Sequence, residues 1–248
     1  AIYTGRDYTS RGTVIRYNYL HHLHGPGLHG VRAVYLDDFT SGIDVFGNVF
    51  YKAGRAAFIG GGRNNRIANN LFIECEPSVQ IDGRALSWAN HHFDVDHPKY
   101  ASTLRDRYAE VNAGEPPYAL RYPPLVDLYG DDPRVPKYNV VEHNLSFDGI
   151  FLDLYDGVDL EIATVRNNLI GDPVALRMTP YSDQDPEFTV YQIDDPATED
   201  LLRDNRLWTQ PERPYRIRDG ALGVDWDGLP SQSGFLPIPF GKIGLKPP

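Results

Sequence analysis

Two aspartates in one recurring slot, with a third beside one of them, are the residues best placed to do chemistry. "VYLDD" (34–38) and "VQIDG" (79–83) carry Asp37, Asp38 and Asp82, and "AFIGG" (57–61) places Gly60 between them. The copies begin 23 and then 22 residues apart. If each copy is one strand of one sheet, alternate side chains share a face. Ile2/Thr4, Val34/Leu36, Ala57/Ile59 and Val79/Ile81 then point inward. Tyr3, Tyr35, Phe58 and Gln80 point outward, and so does the next slot, which holds Gly5, Asp37, Gly60 and Asp82. Asp37 and Asp82 would sit two strands apart, roughly 9–10 Å between Cα atoms, with Gly60 leaving room. Carboxyl groups about 6.5–9.5 Å apart suit an acid and a base flanking a water, as in inverting glycoside hydrolysis, whereas about 5 Å suits the retaining route. Asp38 adds a like charge beside Asp37, which can keep a proton on one member of the set. Asp and Gly at strand ends also simply make turns, and that reading stays open. Asp153, in "IFLDLYDG", is a candidate to continue the column.

Other residue types gather around the same copies. Arg6, Arg63 and Arg84 could grip an acidic sugar bidentately, or orient the catalytic acids, or make ordinary ion pairs. Tyr35, Phe58 and Trp88 offer aromatic faces on which sugars stack. "HHLHGPGLHG" (21–30) supplies His22, His24 and His29 as candidate substrate contacts. Its spacing fits no zinc motif, so no metal ligand set is assigned. His91, His92 and His97 could reach the same cleft, although plain surface placement is the simpler expectation. "GGGR" lacks the Lys-Ser/Thr ending of a phosphate loop. No cofactor is called for, but Asp37 and Asp38 could hold Ca²⁺ through oxygen ligands if the chemistry were elimination.

These residues need a repeating frame. Asn followed by apolar residues recurs at Asn18, Asn48, Asn70, Asn144 and Asn168, in steps of 30, 22, 74 and 24. Each is preceded by a β-rich run such as "TVIRY" or "NVVEH". Short β runs at this period, with no helical pattern between them, predict an all-β parallel β-helix with coils of about 22 residues. Asn at one turn of every coil predicts a stacked amide ladder. The coils are expected over 1–170, interrupted by an insertion at 86–137. Within it, "YASTLRDRYAEVNAG" reads as a short helix ended by Gly, and "EPPYALRYPPL" reads as extended and Pro-rich. Residues 171–248 are expected to form an irregular tail packed on the coils or capping their end.

The chain has 248 residues, 41% of them hydrophobic, and a formal charge of −10. The apolar content supports a packed core. The acidic balance argues against nucleic acid, since phosphate neutralisation needs a basic surface. No apolar run approaches the ~20 residues of a membrane helix. The single cysteine, Cys75, allows no internal disulfide. The opening "AIYTGR" already reads as the middle of the pattern, so upstream coils are expected, and the chain is expected to be monomeric.

"NYLHHLHG", "VYLDDFTSGIDVFGNVFYKAG", "GGRNNRIANNLFIEC", "IDGRALSW" and "GFLPIPFGKIGL" together resemble the large secreted right-handed β-helix proteins of bacteria, a pectate-lyase-like superfamily. The resemblance implies a secreted or periplasmic, carbohydrate-active protein with a polysaccharide or oligosaccharide partner. The residues favour a glycoside hydrolase working through Asp37 and Asp82 with Asp38 in support. A polysaccharide lyase using Arg6, Arg84 and His29, and a non-catalytic carbohydrate-binding β-helix, are the alternatives.

Overall fold

The computed structural model describes residues 1–25, 30–180, 187–218, 221–229 and 234–243. The chain winds through three parallel sheets, contributing one strand to each per coil. The main sheet stacks β1 (Ile2–Thr4), β4 (Arg32–Leu36), β7 (Arg55–Gly60), β10 (Val79–Asp82), β13 (Ile150–Tyr155) and β16 (Val174–Thr179). The second stacks β2 (Val14–Arg16), β5 (Asp44–Phe46), β8 (Arg66–Ala68), β11 (Asn139–Glu142) and β14 (Ala163–Arg166). The third stacks β3 (Tyr19–His21), β6 (Val49–Tyr51), β9 (Leu71–Ile73), β12 (Leu145–Phe147), β15 (Leu169–Gly171) and β18 (Arg206–Leu207). The fold is a parallel β-helix.

The register in the main sheet follows the inward–outward alternation. Ile2 pairs with Val34, Val34 with Ala57, and Ala57 with Val79. One continuous apolar core results, with Val34, Leu36, Ile59 and Ile81 meeting Val45 and Ile67 of the second sheet and Phe50 and Phe72 of the third. Phe50 and Phe72 stack with ring centroids 4.9 Å apart, one coil above the other.

Asparagine sets the turns between the second and third sheets. The Asn18 amide donates to Asn48 Oδ1 at 2.9 Å, Asn48 to Asn70 at 3.0 Å, Asn70 to Asn144 at 3.0 Å and Asn144 to Asn168 at 2.9 Å. Asn205 adds a further rung at 2.8 Å from Asn168, one the sequence did not reveal. The residue before each of the five repeat asparagines is left-handed, with φ of 54–65° at Tyr17, Gly47, Asn69, His143 and Asn167. Only position 47 uses glycine, where a Cβ would press into the Tyr17 ring.

The insertion builds a second core against the turns that follow β1 and β4. Tyr8 and Phe39 from those turns are buried with Leu104, Leu125 and Leu128. Helix α1 (Leu104–Glu110) is capped at Val111, and the chain turns away at Asn112, with φ of 49°, before it reaches Gly114. The Pro-rich stretch is not extended: it forms a single helical turn, α2 (Tyr118–Arg121), and then a 3₁₀ turn over Pro123–Leu125.

Parallel stacking continues past residue 170 through β16 and β18. Then β17 (Thr189–Gln192) pairs antiparallel with β16, and α3 (Glu199–Arg203) buries Leu201 in the main core. The hairpin β19 (Tyr215–Arg218) and β20 (Ala221–Val224) and the segment around Ile238 cover the outer face of the third sheet. Asn69 anchors that segment, accepting from Leu236 N at 2.6 Å and donating to Leu236 O at 2.9 Å.

Candidate functional site

The carboxylate column closes around one arginine. Asp82 is the last residue of β10, directly beside Gly60 of β7, and Asp37 and Asp38 follow β4. Arg84 turns back over this row in a 3₁₀ turn, Arg84–Leu86. Its Nη1 lies 2.7 Å from Asp37 Oδ1 and 2.6 Å from Asp38 Oδ1, and its Nη2 lies 3.1 Å from Asp82 Oδ2. The Arg84 backbone N–H also donates to Asp82 Oδ1 at 2.7 Å. A Cβ at Gly60 would collide with the guanidinium, so the room left by that glycine holds Arg84. Taking a guanidinium out of water is costly unless carboxylates surround it, and here three do. Burial disfavours the charge, but Asp82 and Asp37 raise the Arg84 pKa above its ordinary value.

The three aspartates are not equivalent. Burial opposes the Asp37 charge, yet Arg84 and hydrogen bonds from Tyr35 and Tyr3 outweigh it and lower the pKa. The Tyr3 hydroxyl donates to Asp37 Oδ2 at 3.0 Å. Asp37 and Asp82 are buried, whereas the Asp38 side chain keeps 20% exposure and meets a second guanidinium, Arg6, at 2.9 Å. Asp156 lies one coil beyond, near Asp82, and accepts from Ser87 Oγ at 2.9 Å. Burial and the Asp82 charge push its pKa up to about 6.

Asp38 opens onto a cavity of about 350 Å³ between the coils and the insertion, which Arg6, Phe39, Trp88, His91, His92 and Lys99 also line. Trp88 forms an exposed aromatic wall, 55% accessible, with the Arg84 guanidinium 5.4 Å from its ring centroid. Burial, and His91 beside it, lower the His92 pKa below the usual 6.5. A larger cavity of about 540 Å³ lies at the C-terminal hairpin, lined by Trp208, Arg213 and Tyr215. Arg213 and Tyr215 there are spent on Asp148, and no residue expected to do chemistry faces it.

The structure therefore gathers Asp37, Asp38, Asp82, Arg84, Arg6 and Trp88, with Tyr35 on the adjoining face. The other expected residues are not gathered there. Arg63 is buried, ion-paired with Asp131 and 3.1 Å from the Asp131 carbonyl, so it pins the insertion to the coils. His22 and His24 follow β3, at the opposite end of the main-sheet strands from the carboxylates. His22 packs on His21 and Tyr51. His29 lies outside the described residues. Asp153 pairs with Gln80, one alternation short of the column, and Tyr155 takes the slot beside Asp82. His91 and His92 do reach the cleft. Lys99 carried no recognisable signal, because the insertion has no repeat to align, and Phe39 lies in a turn outside the repeating strands.

Among the described residues no group of three or more His, Cys, Asp or Glu could hold a metal ion. The aspartate oxygens that Ca²⁺ would require face the Arg84 guanidinium instead. No described helix is long and apolar enough to cross a membrane. A scan against protein-family models, a search of curated proteins and a search of solved structures each return no match.

Proposed function

We propose that this β-helix is a carbohydrate-active enzyme that hydrolyses a glycosidic bond in the cavity beside Asp38. The observation that carries the reading is the position of Asp38. It is the partly open carboxylate of a buried, arginine-locked set, and it faces a cavity walled by an exposed tryptophan. Trp88 stacks a sugar ring. Asp38, fixed by Arg84 and Arg6, acts on the anomeric side as base or nucleophile. His92, in the same cavity and within the field of Asp38, carries the proton to the leaving oxygen. Asp37 and Asp82 act through Arg84, as positioning residues. Because His92 must be protonated for this step, activity rises as pH falls through its lowered pKa.

A second reading, β-elimination on a uronate, draws on the same cavity. Arg6 and Lys99 would neutralise the substrate carboxylate, and neutral His92 would take the proton. Asp38 favours hydrolysis, since a carboxylate beside the scissile bond repels the enolate charge that elimination builds there. The test is to follow new reducing ends and absorbance at 235 nm together across pH on plant and algal polysaccharides. Reducing ends without absorbance, strongest at acid pH, support hydrolysis. Absorbance that grows as pH rises through the His92 titration supports elimination. Silence in both channels removes both readings.

A further inference from the structure

Two arginines on the outer face of the main sheet stand apart from the carboxylate column. Arg32 and Arg55 are paired residues on adjacent strands β4 and β7. Among the described residues neither forms a salt bridge with any carboxylate. The Arg32 guanidinium lies 4.7 Å from the Tyr35 ring centroid and 4.4 Å from that of Phe58, and its buried Nε has no hydrogen-bond partner. Arg55 donates only to the Gln80 side-chain oxygen, at 2.9 Å. Asp153 is the carboxylate whose field reaches Arg55, but it is engaged by Arg177 at 2.7 Å and by the Gln80 amide at 2.7 Å. Burial and the neighbouring Arg32 charge lower the Arg55 pKa, as expected of a cation pair held without a counter-ion.

Unpaired guanidiniums are unexpected on a chain whose formal charge is −10. Phe58 connects them to the candidate site: Arg84 lies 5.5 Å from the centroid of the same ring that Arg32 covers. A glycan seated at Asp38 and running along the main sheet would pass over Tyr35 toward Arg32.

We propose that Arg32 and Arg55 form a subsite for an anionic substituent, a carboxylate or a sulfate, on a sugar next to the bond that is cleaved. The subsite deepens the functional reading above and rests on it for the direction of the chain. Two guanidinium forks match the planar or tetrahedral oxygens of such groups.

The test is calorimetric titration of the chain with three hexasaccharides: an oligogalacturonate, a sulfated galactan and a neutral galactan. Cleavage of the parent polysaccharides is followed in parallel. The expected result is at least about tenfold tighter binding of one anionic hexasaccharide than of the neutral one, by charge-assisted hydrogen bonds. That preference should weaken as salt is raised in the wild type, a readout that needs no variant. Arg32→Gln/Arg55→Gln should abolish the preference while leaving affinity for the neutral hexasaccharide unchanged. The identity of the preferred oligosaccharide separates carboxylate from sulfate. Equal binding of charged and neutral chains overturns the subsite, and so does an unchanged preference in the variant or no binding at all. Cleavage of a neutral glycan without charge preference refutes the subsite and leaves the functional reading standing. Anion-selective binding without cleavage does the reverse.

Discussion

Arg84 is the residue on which the site turns. Replacing it with Met removes the cation from among three carboxylates, two of them buried, and breaking a buried pair this way costs about 3–5 kcal/mol. Thermal unfolding of Arg84→Met should show a large loss of stability that is partly recovered at acid pH, where the stranded carboxylates are protonated. An unchanged midpoint at neutral pH would mean that the cluster is well hydrated. Asp172 gives a second titration. Burial pushes its pKa up to about 7 from the ordinary 3.8, and only one oxygen is bonded, accepting from Gly149 N at 2.7 Å. The folded chain therefore holds a proton that the unfolded chain releases near pH 4. The stability this brings is complete below the unfolded value and is lost as pH rises through about 7. At one pKa unit per 1.36 kcal/mol the full swing is at most about 4 kcal/mol. Asp172→Asn should flatten this part of the stability profile between pH 4 and pH 8, and equal pH dependence in both proteins would show that Asp172 does not titrate on unfolding.

At the level of elements, the asparagine ladder is what holds one coil in register on the next. Asn70 accepts from the Asn48 amide and backbone and donates to Asn144 and to the Val45 carbonyl. Removing it leaves buried donors and acceptors on two neighbouring coils without partners, at about 1–3 kcal/mol for each orphaned group. The Asn18 side chain, on the outermost described rung, only donates, to Asn48 and to Arg16 O. Chemical denaturation should find Asn70→Ala several-fold more damaging than Asn18→Ala, and equal losses would contradict a ladder that works by internal satisfaction. The insertion is the other decisive element. It supplies Trp88, His91, His92 and Lys99 to the cavity, so the coils position the carboxylates while the insertion builds the opposite wall.

For the whole molecule, the sequence carried the β-helix openly because the coils repeat. Period, alternation and recurring Asn place the strands, and the core face follows from them. The inward set Val34, Leu36, Ile59 and Ile81 was readable for that reason. The Asp37–Gly60–Asp82 row was readable as well, but its chemistry was not. Nothing in a linear spacing says that Arg84 folds back into the space at Gly60. Arg63 shows the same limit. Its partner Asp131 is 68 residues away in a segment without periodicity, so a buried anchor looked like a free cation. The histidines divide by topology: His22 and His24 leave the third sheet at the far end of the strands, whereas His91 and His92 arrive through the insertion.

The central claim is that a glycan is cleaved beside Asp38. The most direct measurement compares the release of reducing ends by Asp38→Asn and by the wild type on whichever polysaccharide the wild type attacks, with the fold of both checked by circular dichroism. The account predicts a loss of at least about a hundredfold, the scale on which general acid–base groups contribute, with the fold intact. A folded Asp38→Asn protein that cleaves at the wild-type rate would contradict it and would move the chemistry away from this cavity.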